Sequence, residues 1–222
     1  MAEDIYPLPA DIDGVYDITV RRLEAGRRFR SYLLDWDVPT LFDTGFGDTT
    51  EALFEGVEAT GLEPERVIIT HEDRDHTGGL ADVVDRYDVE TWVPADDADA
   101  VASEWGVEAD RRYEDGDSIG PWTVVQVAGH TPGCSVLIDE EERLAVTGDA
   151  VFGSDVRGLP PGYLITPPEF YSDDFAAAER NLENLLGYEF DVALVSHGSA
   201  VVEDASEKLE RYVQFPGKPP VE

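Results

Sequence analysis

Val67-Ile68-Ile69-Thr70-His71-Glu72-Asp73-Arg74-Asp75-His76-Thr77-Gly78-Gly79 is an apolar, β-branched run that breaks into histidine and aspartate and then into glycine. A helical pattern follows from Leu80. This reads as a buried strand whose carboxyl end opens into a polar loop, a common place for a site in α/β proteins. His71, Asp73, Asp75 and His76 put two imidazoles and two carboxylates within six residues, a dense set of metal-ligand types. Aspartates alone would say little in so acidic a chain. The histidines carry the argument, because the chain has only 4 and two of them stand here.

The other two histidines also follow strand-like runs. His130 comes after Thr123-Val-Val-Gln-Val-Ala-Gly and before Thr131-Pro132-Gly133, and His197 comes after Ala193-Leu-Val-Ser and before Gly198. Asp149 ends Leu144-Ala-Val-Thr-Gly-Asp. A single histidine at a strand end is more often structural than catalytic. All four in such loops are hard to assign to chance.

Further outward, Val15 to Val20, Phe29 to Trp36 and Pro39 to Phe42 read as strands, the last opening into the turn Asp43-Thr44-Gly45-Phe46-Gly47. Thr49 or Thr50 is expected to cap a helix with Ala52, Leu53, Val57 and Leu62 inward, and Thr77 to cap another through Leu80, Val83, Val84 and Tyr87. Thr91 to Val93 reads as a strand and Asp96 to Trp105 as a helix. Ile119 to Val127, Ser135 to Ile138 and Arg143 to Thr147 read as three strands. A Pro/Gly-rich loop covers Gly153 to Pro168 and a helix Asp173 to Leu186; a strand at Val192 to Val195 and a helix at Asp204 to Val213 close the pattern. The order contains a degenerate repeat. Ser31-Tyr-Leu-Leu-Asp, Leu41-Phe-Asp-Thr-Gly and a helix lead to Val67-Ile-Ile-Thr-His71. Ser135-Val-Leu-Ile-Asp, Val146-Thr-Gly-Asp and a helix lead to Val192-Ala-Leu-Val-Ser-His197. Two such units suggest two packed sheets with helices outside.

At 222 residues and 24.5 kDa the chain suits one domain, residues 1–222, with about 214–222 as a proline-rich tail. Its formal net charge of -33 is spread over the whole length, and the only lysines are Lys208 and Lys218. Such a surface fits adaptation to high salt, where screening makes self-repulsion tolerable, and points to a halophilic source. It argues against a nucleic-acid partner, which usually meets a basic surface. Cys134 is the only cysteine, which rules out an intrachain disulfide and a Cys-rich zinc module. No run reaches membrane-spanning length, and the amino terminus has no basic region followed by an apolar one, so the expected address is cytoplasmic with no membrane partner.

Thr70 to His76, His130-Thr131-Pro132-Gly133, Thr147-Gly148-Asp149 and His197-Gly198 together resemble the ordered motifs of the metallo-β-lactamase fold superfamily. Asp43-Thr44-Gly45 resembles the upstream turn that supports the family's site, as Asp43 and Thr70 would here. The resemblance implies an α/β (α+β) fold, a four-layer αββα sandwich. It also implies two divalent ions, zinc first. One would take His71, Asp73 and His130; the other would take Asp75, His76 and His197; Asp149 would bridge them. Asp73 stands where the family usually carries histidine. A third carboxylate makes the site less positive, so it acidifies a bridging water less and shifts preference toward iron or manganese. The di-iron branch of the superfamily carries Glu at that position.

The implied mechanism is attack by a metal-held hydroxide on a small ester, thioester or lactone, with Asp75 as the catalytic residue that orients or deprotonates the water. No Gly-x-Ser-x-Gly elbow offers a serine alternative. Gly153 to Ser172 is the expected substrate loop, with Leu159, Tyr163, Phe170 and Tyr171 as wall residues and Phe46 on the opposite wall; a connecting loop packed by its own aromatics is the competing reading. Two other classes stay open: an iron-dependent oxidoreductase, either di-iron or persulfide dioxygenase-like, and a degenerate non-catalytic binding protein. Substrate identity and oligomeric state are not legible.

Overall fold

The computed structural model describes residues 5–6, 12–22 and 28–215. The proline-rich end, 216–222, lies outside the described residues. The chain divides into two compact units, Met1–Tyr113 and Glu114–Glu222.

In the first unit seven strands lie in chain order across one sheet: β1 (Ile5–Tyr6), β2 (Val15–Arg22), β3 (Arg28–Asp35), β4 (Pro39–Phe42), β5 (Arg66–Ile68), β6 (Glu90–Pro94) and β7 (Arg111–Tyr113). β1 to β4 pair antiparallel, and β4 to β7 run parallel. Parallel neighbours need crossovers, and the helices α1 (Thr50–Thr60), α2 (Arg74–Thr77), α3 (Leu80–Arg86) and α4 (Ala98–Trp105) stand in them. The core gathers Ile18, Leu33, Leu41, Val67, Ile69 and Leu80, all fully buried. Helix α1 lies close over the sheet because Gly56 offers no Cβ, which would crowd the Ile18 side chain. Gly61 ends that helix at φ 77, a left-handed cap that suits glycine.

The second unit holds β8 (Ser118–Ile119), β9 (Trp122–Gln126), β10 (Ser135–Asp139), β11 (Leu144–Val146) and, after a small two-stranded ribbon of β12 (Phe152–Gly153) and β13 (Leu164–Ile165), β14 (Val192–Leu194). The five-stranded sheet has the order β14-β11-β10-β9-β8. β8 to β11 are antiparallel neighbours, while β14 lies parallel to β11. Helices α5 (Phe175–Asn181) and α6 (Ala205–Val213) flank the last strand in sequence. Val125, Val136, Ile138, Leu182, Val195 and Leu209 form its core.

The repeat seen in the sequence is a repeat of strand pairing. β3 is antiparallel to β4 and β4 parallel to β5, with Phe42 level with Ile68. β10 is antiparallel to β11 and β11 parallel to β14, with Val146 level with Leu194. His71 follows Ile68 by three residues, and His197 follows Leu194 by three. Each unit therefore sends its histidine-bearing loop off the carboxyl end of a buried parallel strand.

Several local expectations are corrected. Ile119 to Val127 is a hairpin, with Ile119 level with Trp122, because Gly120 turns the chain at φ 60. Thr77 ends α2 instead of capping α3, its hydroxyl donating back to the carbonyls of Glu72 and Asp73. Val84 on α3 is exposed. Thr49 holds the N-cap position of α1 without a cap bond, because its hydroxyl is taken by the Phe46 backbone. The helix expected from about Asp173 to Leu186 is α5 followed by a 3-10 turn at Leu182–Leu185, and the Asp174 carboxylate caps it.

Candidate metal centre

In the first unit the loop after β5 is built around Asp43. Its carboxylate accepts from the Thr70 amide at 2.8 Å and from the Thr70 hydroxyl at 2.9 Å, and it lies 2.8 Å from His76 Nδ1. Thr70 Oγ1 is also 3.0 Å from His71 Nδ1. A carboxylate only accepts, and the one hydroxyl proton of Thr70 points to it. Both imidazoles therefore carry their proton on Nδ1 and turn an Nε2 lone pair the other way. The residue that imposes this sits at φ 58, a left-handed conformation that aspartate adopts more readily than most residues.

What the Nε2 atoms face is carboxylate. Asp73 Oδ2 lies 3.6 Å from His71 Nε2, and Asp75 Oδ2 lies 3.6 Å from His76 Nε2. The two rings are 4.0 Å apart and tilted by 51°. Both histidines are buried, whereas Asp73 is 43% exposed and Asp75 19%. Lone pairs set against carboxylate oxygens repel unless a cation sits among them, so the donor set fits a metal ion. Asp73 also occupies the N-cap position of α2 without capping it. An aspartate there ordinarily bonds to the first-turn amides; this one turns its carboxylate toward His71.

The loop is held from behind by groups the motifs did not single out. The Thr44 amide and hydroxyl both donate to the His76 carbonyl, at 2.6 and 2.9 Å. The buried carboxylate of Asp97 accepts from the Glu72 amide at 3.0 Å, and the Tyr113 hydroxyl donates to the Ile69 carbonyl at 2.6 Å. Gly78 lets the loop pass the Phe46–Gly47 backbone, where a Cβ would stand 2.8 Å from the Phe46 carbonyl carbon. Of these, Thr44 and Gly78 fall within the strand-end stretches already read from the sequence. Asp97 and Tyr113 come from distant elements, and nothing in their local sequence marks them.

In the second unit Asp149, His130 and His197 meet. Asp149 Oδ2 lies 3.4 Å from His130 Nε2 and 3.1 Å from His197 Nε2, so one oxygen addresses both rings. All three are largely buried; the His197 side chain is 14% exposed. Tight backbone turns aim them: Gly129 at φ 139, Gly148 at φ 47 and Gly198 at φ 86. At Gly129 a Cβ would collide with the Ala178 backbone of α5. The Phe152 ring lies 4.6 Å from the His197 ring, and the His197 carbonyl accepts from the Gly153 amide at 2.8 Å. Asp155 holds the next turn through the Ser199 amide and hydroxyl, at 2.7 and 2.9 Å.

The expected wall residues are placed unevenly. Leu159, Tyr163 and Phe170 line a cavity of about 1390 Å³ in the second unit; Tyr171 does not line it but packs against Phe170, ring centres 4.2 Å apart and tilted by 48°. Phe46 is half-buried in the first unit. It packs edge-on against Phe29 at 5.0 Å, with the Arg21 guanidinium 4.1 Å over its ring. Cys134 is fully buried in the core of the second unit. Among the described residues no helix is long and apolar enough to cross a membrane.

The sequence model of the metallo-beta-lactamase superfamily matches residues 31–197, and the chain belongs to that superfamily. It is 28% identical over 174 residues to a hydroxyacylglutathione hydrolase of Alkalilimnicola ehrlichii, covering 78% of this chain and 64% of the relative. It is 27% identical over 179 residues to an atrochrysone carboxyl ACP thioesterase of Passalora fulva, covering 76% and 47%. The chain thus spans less than two thirds of either relative's length. Among solved structures, the metallo-beta-lactamase FIM-1 from Pseudomonas aeruginosa in its mono-zinc form superposes with a TM-score of 0.73 over 97% of both chains at 18% identity. TTHA1623 in a di-iron-bound form gives 0.67 over 90% of this chain and 98% of that one, at 24% identity. The fold is the mixed α/β fold of that superfamily.

Proposed function

We propose that the chain is a metal-dependent hydrolase of an ester, thioester or lactone, with a small molecule as its partner. The observation that carries the reading is the pair of buried imidazoles, His71 and His76, locked by Asp43 and Thr70 with Nε2 toward carboxylates. Membership of the superfamily and the two thioester-cleaving relatives support it. One ion would be held by His71, Asp73 and His130 and the other by Asp75, His76 and His197, with Asp149 shared. The shared role suits an oxygen that already faces two imidazoles. When bound, the ions supply Lewis acidity toward the substrate oxygen and make water a stronger acid. Asp75 orients the attacking water and accepts its proton at a carboxylate oxygen. Asp43 and Thr70 keep the two ring protons on Nδ1 throughout. A cytoplasmic address goes with this reading, since the lone, buried Cys134 suits a reducing compartment.

The test is hydrolysis of a panel of thioesters, esters and lactones by protein supplied with zinc or manganese, and its loss on chelation. Turnover that a chelator abolishes and metal restores is expected. Asp73 supports a second reading, an iron-dependent oxidoreductase, because an oxygen ligand suits iron; iron-dependent oxygen consumption without hydrolysis would favour it. Neither activity, with metal held weakly, would favour a binding protein.

A further inference from the structure

The cavity of about 1390 Å³ lies wholly in the second unit, between the segment after β12, helix α5 and helix α6. It borders the histidine cluster on two sides. Asp173 and Asp174 line it, and their amides donate to the carbonyls of His130 and Gly129 at 3.0 and 2.8 Å. Ser154 lines it as well, directly after Gly153, whose amide bonds to the His197 carbonyl, and Phe152, whose ring packs on His197. The cavity therefore adjoins segments bonded to the main chain of two of the proposed metal ligands, while no ligand itself lines it.

Its chemistry is apolar. Seven large apolar side chains are exposed among the described residues, and four of them, Leu159, Tyr163, Phe170 and Phe215, line this one cavity. Such clustering marks a ligand surface where scattered exposure would not. The charged rim offers an anion little. Arg157, Lys208 and Arg211 are set against Glu169, Asp173, Asp174 and Glu179. Two of the cations are already engaged: Lys208 donates to the Glu203 carbonyl at 2.7 Å, and Arg211 pairs with Glu207 at 2.9 Å. The volume exceeds the roughly 300–1000 Å³ that houses a drug-sized ligand, far more than a short hydroxyacyl group fills.

We infer that this cavity receives the acyl or aryl part of the substrate, and that the preferred substrate carries a bulky, uncharged, apolar acyl group. The inference rests on the hydrolase reading for the bond that is cleaved. The experiment pairs two measurements. The first is KM for N-acetylcysteamine thioesters from acetyl to decanoyl with the metal-loaded protein. The second is fluorescence of N-phenyl-1-naphthylamine, a neutral apolar probe, with the metal-free protein. Both are repeated on the Leu159→Ser/Phe170→Ser double variant, whose positions are more than half exposed and do not hold the fold. KM should fall about fourfold per methylene over the longer acyl chains, the probe should brighten, and the variant should flatten the first and weaken the second. Hydrolysis with a flat KM series and no probe binding would overturn the inference and leave the hydrolase reading intact. A gradient that survives unchanged in the variant would also overturn it. Probe binding lost in the variant, with no thioester hydrolysed, would sink the hydrolase reading and leave the apolar cavity standing.

Discussion

His76 Nδ1 lies 2.8 Å from Asp43 Oδ2, and the same carboxylate takes the Thr70 hydroxyl that holds His71. One buried aspartate thus fixes the tautomer of two histidines. Asp43→Asn keeps a residue that tolerates φ 58 but replaces one acceptor with a donor. Metal affinity in the variant should drop by about 10–100-fold with little change in melting temperature. Titration against a chromophoric chelator checks this; unchanged affinity would mean that the tautomer lock does not serve metal binding.

Asp73→His restores the residue usual in the family and removes one carboxylate from the donor set. Zinc retention relative to manganese should rise, read by metal analysis after dialysis against equal concentrations of both. An unchanged ratio would take Asp73 out of the ligand set.

Gly78 has an ordinary helical backbone at φ -61, so its role is space alone. Gly78→Ala would press a methyl group into the Phe46–Gly47 backbone. The expected cost is about 1–3 kcal/mol, or about 2–4 °C in melting temperature for each kcal/mol. Gly106→Ala makes a useful contrast. Nothing surrounds that Cβ, and its cost of about 1 kcal/mol comes only from φ 70.

Much of this centre was legible because its parts are local. A β-branched run, a strand end and a histidine or aspartate within a few residues define each loop, and the repeat in sequence became a repeat of strand pairing around Phe42–Ile68 and Val146–Leu194. What escaped was set by distant partners. Strand β7 has Arg111 and Arg112 exposed and only Tyr113 buried, so no apolar alternation announces it; its place is fixed by β6 and by the bond from Tyr113 to Ile69. Thr77 looked like a cap because its hydroxyl precedes a helix, yet that hydroxyl bonds backward and also accepts from Trp105 Nε1 at 2.8 Å. The aromatic loop after Gly153 was visible as composition. The cavity it forms with α6 was not, because Lys208, Arg211 and Tyr212 lie some forty residues further on.

Asp17 and Arg30 form a buried pair in the first unit, Oδ2 to Nε 3.2 Å, with Arg28 at 3.5 Å. Burial raises the Asp17 pKa, and the attraction of Arg30 and Arg28 only partly offsets it. A folded pKa above the unfolded one favours the fold below the unfolded value, and that contribution is lost as pH rises through the folded one. Arg30→Leu removes the larger attraction and raises the folded pKa further. The variant should lose about 3–5 kcal/mol at neutral pH, and the loss should shrink as pH falls toward about 4. Urea melts of both proteins across that range decide it; a pH-independent difference would contradict the account.

With a formal charge of -33, the folded chain repels itself wherever screening is weak. Raising salt from about 0.1 M to 1 M shortens the screening length from about 10 Å to about 3 Å. The melting temperature should rise over that range, and calorimetry at the two concentrations measures it. A fall would show that ion pairs, not repulsion, dominate the surface.

The proposed function calls for two metal ions per chain, and metal content tests it most directly. Protein purified in high salt, loaded with zinc or manganese and desalted should hold two equivalents per chain, falling to one in Asp73→Ala. One equivalent in the unaltered chain, or none, would contradict it.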